Sequence, residues 1–280
     1  MIFSYSTNAF VKYTLSEAVK LIAQTGFRGV EIMCDRPHLY PPDVEPQDLE
    51  KFKQLLEKLK LTITNLNCFT LFAVGNTWLP SWIEPDVQRR QERIDHTLNC
   101  LDLAHFLGSP CISVPPGGPP VEMDSKSSLS LFRQGLEKVL PKAEALDVSI
   151  LIEPEPGLLI ENSRQMVSFI KEIESQHLGV NFDVGHFFCV GEPPEKALEN
   201  LFEKIGHIHI EDIASTREHK HLIPGIGAID YDAFFKRLDE LKYKKDICLE
   251  LYTYAESPCK AGLESIENLK PIMEKYNFPI

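Results

Sequence analysis

Short apolar runs alternate with amphipathic stretches along the whole chain. The runs are bounded by Gly, Pro or polar residues, as buried strands are. The stretches between them repeat apolar residues at helical spacing. The first run, Ile2 to Ser6, precedes a helix over Leu15 to Gln24, with Ala18, Leu21 and Ile22 on one face and Gly26 closing it. A strand over Gly29 to Met33 and a loop holding Pro37, Pro41 and Pro42 then lead to a helix from Pro46 to Leu59. The third unit pairs a β-branched strand, Thr62 to Cys68, with a helix from Pro85 to Leu107 through a loop carrying Trp78 and Trp82. Strand four, Cys111 to Val114, runs into Pro115-Pro116-Gly117-Gly118 ahead of a helix over Ser127 to Leu146. Strands over Ser149 to Glu153, Leu178 to Asp183, His207 to Glu211 and Asp246 to Leu251 complete the set. Their helices start after Asn162 or Ser163 and then cover Pro194 to Lys204, Tyr231 to Leu241 and Gly262 to Tyr276.

Eight strands alternating with eight helices predict an α/β protein with parallel strands and crossover helices. No G-x-G-x-x-G follows the first strand and no P-loop is present, which favours a closed (β/α)₈ TIM barrel over an open doubly wound sheet. Such a barrel takes roughly 250 residues, so residues 1–280 are expected to form a single domain.

Composition and charge narrow the partners. The net charge of -12 argues against nucleic acid, whose binding needs clustered Lys and Arg, but leaves room for a small anionic ligand. Seven Cys residues, an odd number without a C-x-x-C pair, predict reduced thiols and a cytoplasmic location, and the thiols read as buried and incidental. The start, MIFSYSTNAF, lacks the basic segment and apolar stretch of a signal peptide, and no run approaches 18 apolar residues, so no membrane partner is expected. Homo-oligomer formation stays open.

In these barrels the chemistry collects at the C-terminal ends of the strands. Here strand five ends S-I-L-I-E at Glu153, strand six ends G-V-N-F-D at Asp183, strand seven carries His209 in G-H-I-H, and strand eight ends I-C-L-E at Glu250. A carboxylate after an apolar strand is expensive to bury unpaired. One divalent cation shared by three acids and an imidazole removes that cost, whereas any one of them alone reads equally well as a rim acid paired with Arg or Lys. Oxygen donors in the majority favour Mn²⁺ or Mg²⁺, with Co²⁺ and Zn²⁺ also compatible.

The chain resembles the sugar phosphate isomerase/epimerase superfamily, the xylose isomerase-like barrels also grouped as AP endonuclease family 2. The resemblance rests on G-F-R-G-V-E at 26–31, L-A-H-F-L-G-S-P at 103–110, E-P-E-P-G at 153–157, F-D-V-G-H at 182–186, H-I-H-I-E-D at 207–212, P-G-I-G-A-I-D at 224–230 and the Glu250 strand. Each motif is short; their order and spacing are specific. The resemblance implies that Glu153, Asp183, His209 and Glu250 are the metal ligands of the ketose 3-epimerase branch and that His186 contacts a substrate oxygen. It also implies a substrate-gripping Arg after strand seven, for which Arg217 stands further along the loop than the branch pattern has it.

The expected reaction is isomerisation or epimerisation of a carbohydrate-like ketone through a metal-stabilised enediolate, with Glu153 and Glu250 as acid and base. Glu155 reads as a partner of the ligands or as a rim acid, and His219 and His221 as substrate contacts or solvated surface. His207 reads as a satisfied core histidine. Tyr5, Asn8, Glu31 and Asn67 sit where they could line a polar pocket, Glu31 equally as a structural acid, and Trp78 and Trp82 read as lid or dimer contact. The alternatives are an inosose- or dehydroshikimate-type dehydratase on the same scaffold and a non-catalytic sugar-binding or scaffold barrel. Endonuclease activity is disfavoured, because strands three and four supply no extra His ligands.

Overall fold

Local signals start and stop the helices. Thr14 and Glu17 form a reciprocal capping box and Gly26, at φ 105°, ends the first helix in the left-handed conformation that favours glycine. Asp86, Asp124 and Asn162 cap later helices by accepting backbone N–H bonds.

In the computed structural model, which describes residues 1–120 and 123–280, the order is β1 (Phe3–Ser6), α1 (Leu15–Thr25), β2 (Gly29–Met33), α2 (Pro46–Leu59), β3 (Thr62–Asn67), α3 (Val87–Leu107), β4 (Cys111–Val114) and α4 (Ser125–Leu146). The second half follows with β5 (Ser149–Ile152), α5 (Ser163–Ile170), β6 (Leu178–Asp183), α6 (Val184–Cys189), α7 (Pro194–Leu201), β7 (Ile205–Ile210), α8 (Tyr231–Glu240), β8 (Ile247–Leu249) and α9 (Pro258–Lys275). The strands pair in parallel in sequence order, and β8 closes on β1. The (β/α)₈ expectation therefore holds.

Several elements differ from the sequence expectation: β8 covers Ile247–Leu249 rather than Asp246 to Leu251, which leaves Glu250 just past the strand, and α9 starts at Pro258 rather than Gly262. β5 stops at Ile152 and leaves Glu153 as the first loop residue, although its N–H still donates to Val114 O at 3.1 Å. β7 starts at Ile205 rather than His207, beside a register shift between Val180 and Asn181. α6 was not anticipated: it is a six-residue helix opening directly on Asp183, whose side chain caps it through His186 N–H.

The barrel wall sorts residues by face. Val30, Ile32, Leu66, Ile112, Ile150, Phe182, Ile208 and Leu249 are buried in the apolar core cluster. The interior also holds polar groups satisfied by one another. Ser4 Oγ lies 2.8 Å from Thr64 Oγ1, His207 is held by Asn181 Oδ1 at 3.1 Å and Thr64 Oγ1 at 3.4 Å, and Asn65 Nδ2 donates to Ser113 Oγ at 2.9 Å. His207 is thus the satisfied core histidine its parity with His209 predicts. Among the described residues, no helix is long and apolar enough to cross a membrane.

Candidate metal centre

Alternate residues on a strand share a face, so β5, β6, β7 and β8 bring Glu153, Asp183, His209 and Glu250 to one place at the C-terminal mouth of the barrel. One ligand atom from each lies within 4.8 Å of the other three, and all four residues are buried.

Each of the four has one polar atom tied down and the other turned to the centre. Glu153 Oε2 accepts from Asn181 Nδ2 at 2.8 Å, leaving Oε1 3.3 Å from His209 Nδ1. Asp183 Oδ1 accepts the His186 N–H at 2.8 Å, while Oδ2 is buried without a hydrogen-bond partner. His209 Nε2 meets Glu31 Oε2 at 2.5 Å, which directs Nδ1 inward. Glu250 Oε1 accepts from Asn8 Nδ2 at 2.8 Å and Asn67 Nδ2 at 3.4 Å, and Oε2 stands 3.6 Å from His209 Nδ1. An orphaned buried carboxylate oxygen is costly in a dry site. Asp183 Oδ2 and the three atoms around it form a donor set that fits one divalent cation.

The electrostatics say the same. Burial, reinforced by the nearby Glu153 charge, pushes Asp183 up to about 7. Burial also raises Glu250 well above the carboxylate range, although the His209 charge opposes it. Glu31 behaves in the opposite way: burial resists its ionisation, but the charge and hydrogen bond of His209 outweigh that and hold it down at about 2. His209 is correspondingly raised against the opposing effect of burial, with Glu31 the leading cause. A carboxylate that fixes the far nitrogen of a ligating imidazole sets its tautomer and basicity.

Above the four donors lies a cavity of about 450 Å³, walled by Asn8, Phe69, Trp78, Glu155, His186 and Tyr252 among others. His186 Nδ1 donates to Pro154 O at 2.9 Å, so its Nε2 carries a lone pair, 3.0 Å from both His219 Nε2 and Glu155 Oε2. His221 Nδ1 donates in the same way to Glu250 O at 2.9 Å, and its Nε2 lies 3.3 Å from His219 Nε2. Burial and the neighbouring imidazoles keep His186 and His221 well below the usual histidine range, hence neutral. Glu155 is pushed well above the carboxylate range by burial and the adjacent acids. Asp212 anchors the loop that carries His219 and His221, accepting N–H bonds from Ile213, Gly225, Gly227 and Ile229 at 2.8 to 3.1 Å.

Of the residues singled out in the sequence, Glu153, Asp183, His209 and Glu250 come together, and His186, Glu155 and His221 join them at the cavity wall. Arg217 does not. It is exposed, with φ 60°, and its guanidinium stacks 5.3 Å over the Phe188 ring, outside the residues that line the cavity. Tyr5 also departs: it is buried and its hydroxyl donates to Pro258 O at 3.0 Å. The tryptophans divide, Trp78 lining the cavity and Trp82 packing on Gly135 and Phe132. Two roles were missed, the Glu31 anchor on His209 and the Asn181 anchor on Glu153. Asn181 shares the strand face of Asp183 two residues on, the one signal that could have found it.

The comparisons with known proteins agree with this architecture. The family described as Xylose isomerase-like TIM barrel matches residues 19–272. Inosose dehydratase of Clostridium beijerinckii is 25% identical over 267 residues, covering 85% of this chain and 82% of that protein. Hydroxypyruvate isomerase of Escherichia coli K12 is 27% identical over 243 residues, covering 84% and 86%. A solved D-tagatose 3-epimerase-like protein shares the fold at a TM-score of 0.84 and 22% identity, over 99% of this chain and 98% of its own. The relatives carry the names of enzymes, and the family match spans nearly the whole chain: this chain belongs to the xylose isomerase-like TIM barrel family.

Proposed function

We propose that the chain is a divalent-metal-dependent isomerase or epimerase acting on a sugar, sugar phosphate or related polyol ketone by moving a proton next to the carbonyl. The observation that carries this is the pinned set Glu153 Oε1, Asp183 Oδ2, His209 Nδ1 and Glu250 Oε2 on the floor of a sugar-sized cavity. When bound there, a divalent cation supplies positive charge against the enediolate that proton removal creates. Oxygen donors in the majority favour Mn²⁺ or Mg²⁺.

Glu153 and Glu250 follow strands five and eight, three strands apart around the mouth of an eight-stranded ring. One takes the proton from the carbon and the other returns one. Asn181 on one side and Asn8 with Asn67 on the other hold the carboxylates in register for that exchange. His186, kept neutral, orients a substrate oxygen through Nε2. Trp78, Phe69 and Tyr252 offer apolar faces to the C–H surface of a sugar and keep water out.

The test is solvent deuterium uptake by a panel of ketoses, their phosphates and cyclic polyol ketones with Mn²⁺, Mg²⁺ or Co²⁺. Uptake at the carbon beside the carbonyl supports the proposal. Full activity in both Glu153→Gln and Glu250→Gln refutes the assigned roles.

One observation favours a second reading. Burial and the acids around it push Glu155 well above the carboxylate range, beside the lone pair of His186. A neutral carboxyl there suits protonation of a departing hydroxyl, as dehydration of a polyol ketone requires, and one relative is named inosose dehydratase. Loss of water from substrate, read by mass, separates the two.

A further inference from the structure

Outside the barrel mouth, three elements bring three thiols together behind the sheet. Cys34 follows β2, Cys68 follows β3 and Cys100 lies in α3, and the three Sγ atoms fall within 4.8 Å of one another, fully buried. His96, one helical turn before Cys100, has Nε2 3.6 Å from that sulfur and stands just outside the set of three, so it completes a four-ligand site by turning in towards the other two sulfurs. The sulfurs of a tetrahedral zinc site stand about 3.8 Å apart, given zinc–sulfur bonds of about 2.3 Å. Three Cys and one His is also a common composition for a closed structural zinc site.

A second observation concerns charge. Arg93, one turn before His96 on the same helix, is fully buried. It donates through Nε and Nη1 to the carbonyls of Pro80, Cys68 and Phe69, while Nη2 is buried without a partner. No carboxylate pairs with it among the described residues. Asp35, buried nearby, accepts instead from the N–H groups of Arg36, Phe72 and Ala73. A buried guanidinium is expensive without a counter-charge. A divalent cation with three thiolates and a neutral imidazole carries a net charge of minus one, which balances Arg93.

We propose that Cys34, Cys68, Cys100 and His96 form a second, structural metal site for a thiophilic divalent cation, zinc in the first place. The site ties β2, β3 and α3 together on the outer face of the barrel and neutralises Arg93. It is independent of the carboxylate centre in ligands and in chemistry. His96 also borders a surface cleft with Tyr40, Leu71 and Asn99, which gives an ion a way in.

Cobalt(II) separates the two sites, because only sulfur ligands give an intense near-ultraviolet charge-transfer band with cobalt. The full-length protein, reduced and stripped with a chelator, is titrated with Co²⁺. The expected result is a saturable sulfur-to-cobalt band in the wild-type protein. It persists in Asp183→Asn, which disables the carboxylate centre, and disappears in the Cys34→Ser/Cys100→Ser double variant with the loss of one equivalent of bound cobalt. If the double variant fails to fold, mapping which thiols of the wild-type protein cobalt protects from alkylation assigns the band: protection of Cys34, Cys68 and Cys100 supports the site, and protection of other cysteines alone overturns it. Bound cobalt without the band overturns the proposal, as does a band that survives the double substitution or three thiols that modify freely at saturating cobalt.

Discussion

Replacing Glu31 tests whether the centre depends on residues beyond its four donors. Glu31 is fully buried, and its Oε2 accepts from both His209 at 2.5 Å and Asn65 at 2.8 Å, while Oε1 accepts from Asn67 at 3.2 Å. In Glu31→Gln the amide oxygen can keep the two bonds at the Oε2 position, but the new NH₂ then faces the Asn67 amide, donor against donor. The imidazole keeps an acceptor and loses a negative charge. Glu31→Ala removes both and leaves His209 Nε2 unpaired. Partners of ligating histidines are worth roughly 10- to 100-fold in metal affinity, or about 1.4 to 2.8 kcal/mol. The expected losses of Mn²⁺ affinity are about 10-fold for Gln and about 100-fold for Ala. Competition against a chelating dye measures both, with circular dichroism to establish that each variant is folded. Wild-type affinity in both folded variants refutes the reasoning, since His209 would then need no anchor.

Acidity should act on the same centre. Asp183 is raised to about 7, chiefly by burial and then by Glu153. Its stabilising contribution to the cation-free protein is therefore complete below its unfolded value, about 3.9, and is lost as pH rises through about 7. Melting scans should show the cation-free protein weakening over that window and added Mn²⁺ helping most above it, because binding must first displace the proton; a melting temperature flat across the window contradicts this. Gly185→Ala would bring a Cβ to 2.9 Å from Ile213 Cγ1 and closer still to Glu211 Oε1, the atom that accepts the Gly185 N–H. A loss of about 2 kcal/mol is expected in denaturant unfolding, within the range for overpacked cores. Asp212→Ala should cost about 3 kcal/mol, from the loss of several charge-assisted N–H bonds. Hydrogen exchange should then quicken at Gly225, Gly227 and Ile229 if the carboxylate organises that loop. Trp78→Ala should raise KM with little change in kcat once a substrate is known, because Trp78 walls the cavity without touching the four donors.

The architecture was legible because short apolar runs and amphipathic stretches alternate without a break, and four strand ends announce themselves as acids or His after apolar residues. What the sequence hid has physical causes. α6 is too short to show a helical period, so the turn that delivers His186 looked like loop. The anchoring of Glu31 on His209 and Asn65 depends on a register shift between Val30 and Glu31 opposite β3, and register is a property of pairing rather than of one strand. Arg217 failed for the converse reason. The family resemblance recommended it, but a loop's path is set by its anchors, and Asp212 directs this one so that His219 and His221 face the cavity while Arg217 settles on Phe188. Glu155 lay undecided between partner and rim acid, and the structure shows it buried on the cavity wall.

The tethering of one atom in each of the four central side chains has a consequence for ion discrimination. A flexible ring of carboxylates can dilate to surround a large ion; here dilation means breaking hydrogen bonds to Asn8, Asn181, Glu31 and the backbone of α6. Calcium takes six to eight oxygens at about 2.3 to 2.6 Å, whereas the smaller divalent ions accept about 2.0 to 2.2 Å and fewer donors. The centre would therefore turn calcium away by stiffness, with the same carboxylates that elsewhere welcome it. Size selection at such a centre would be a mechanical property of the hydrogen bonds one layer out from the ion.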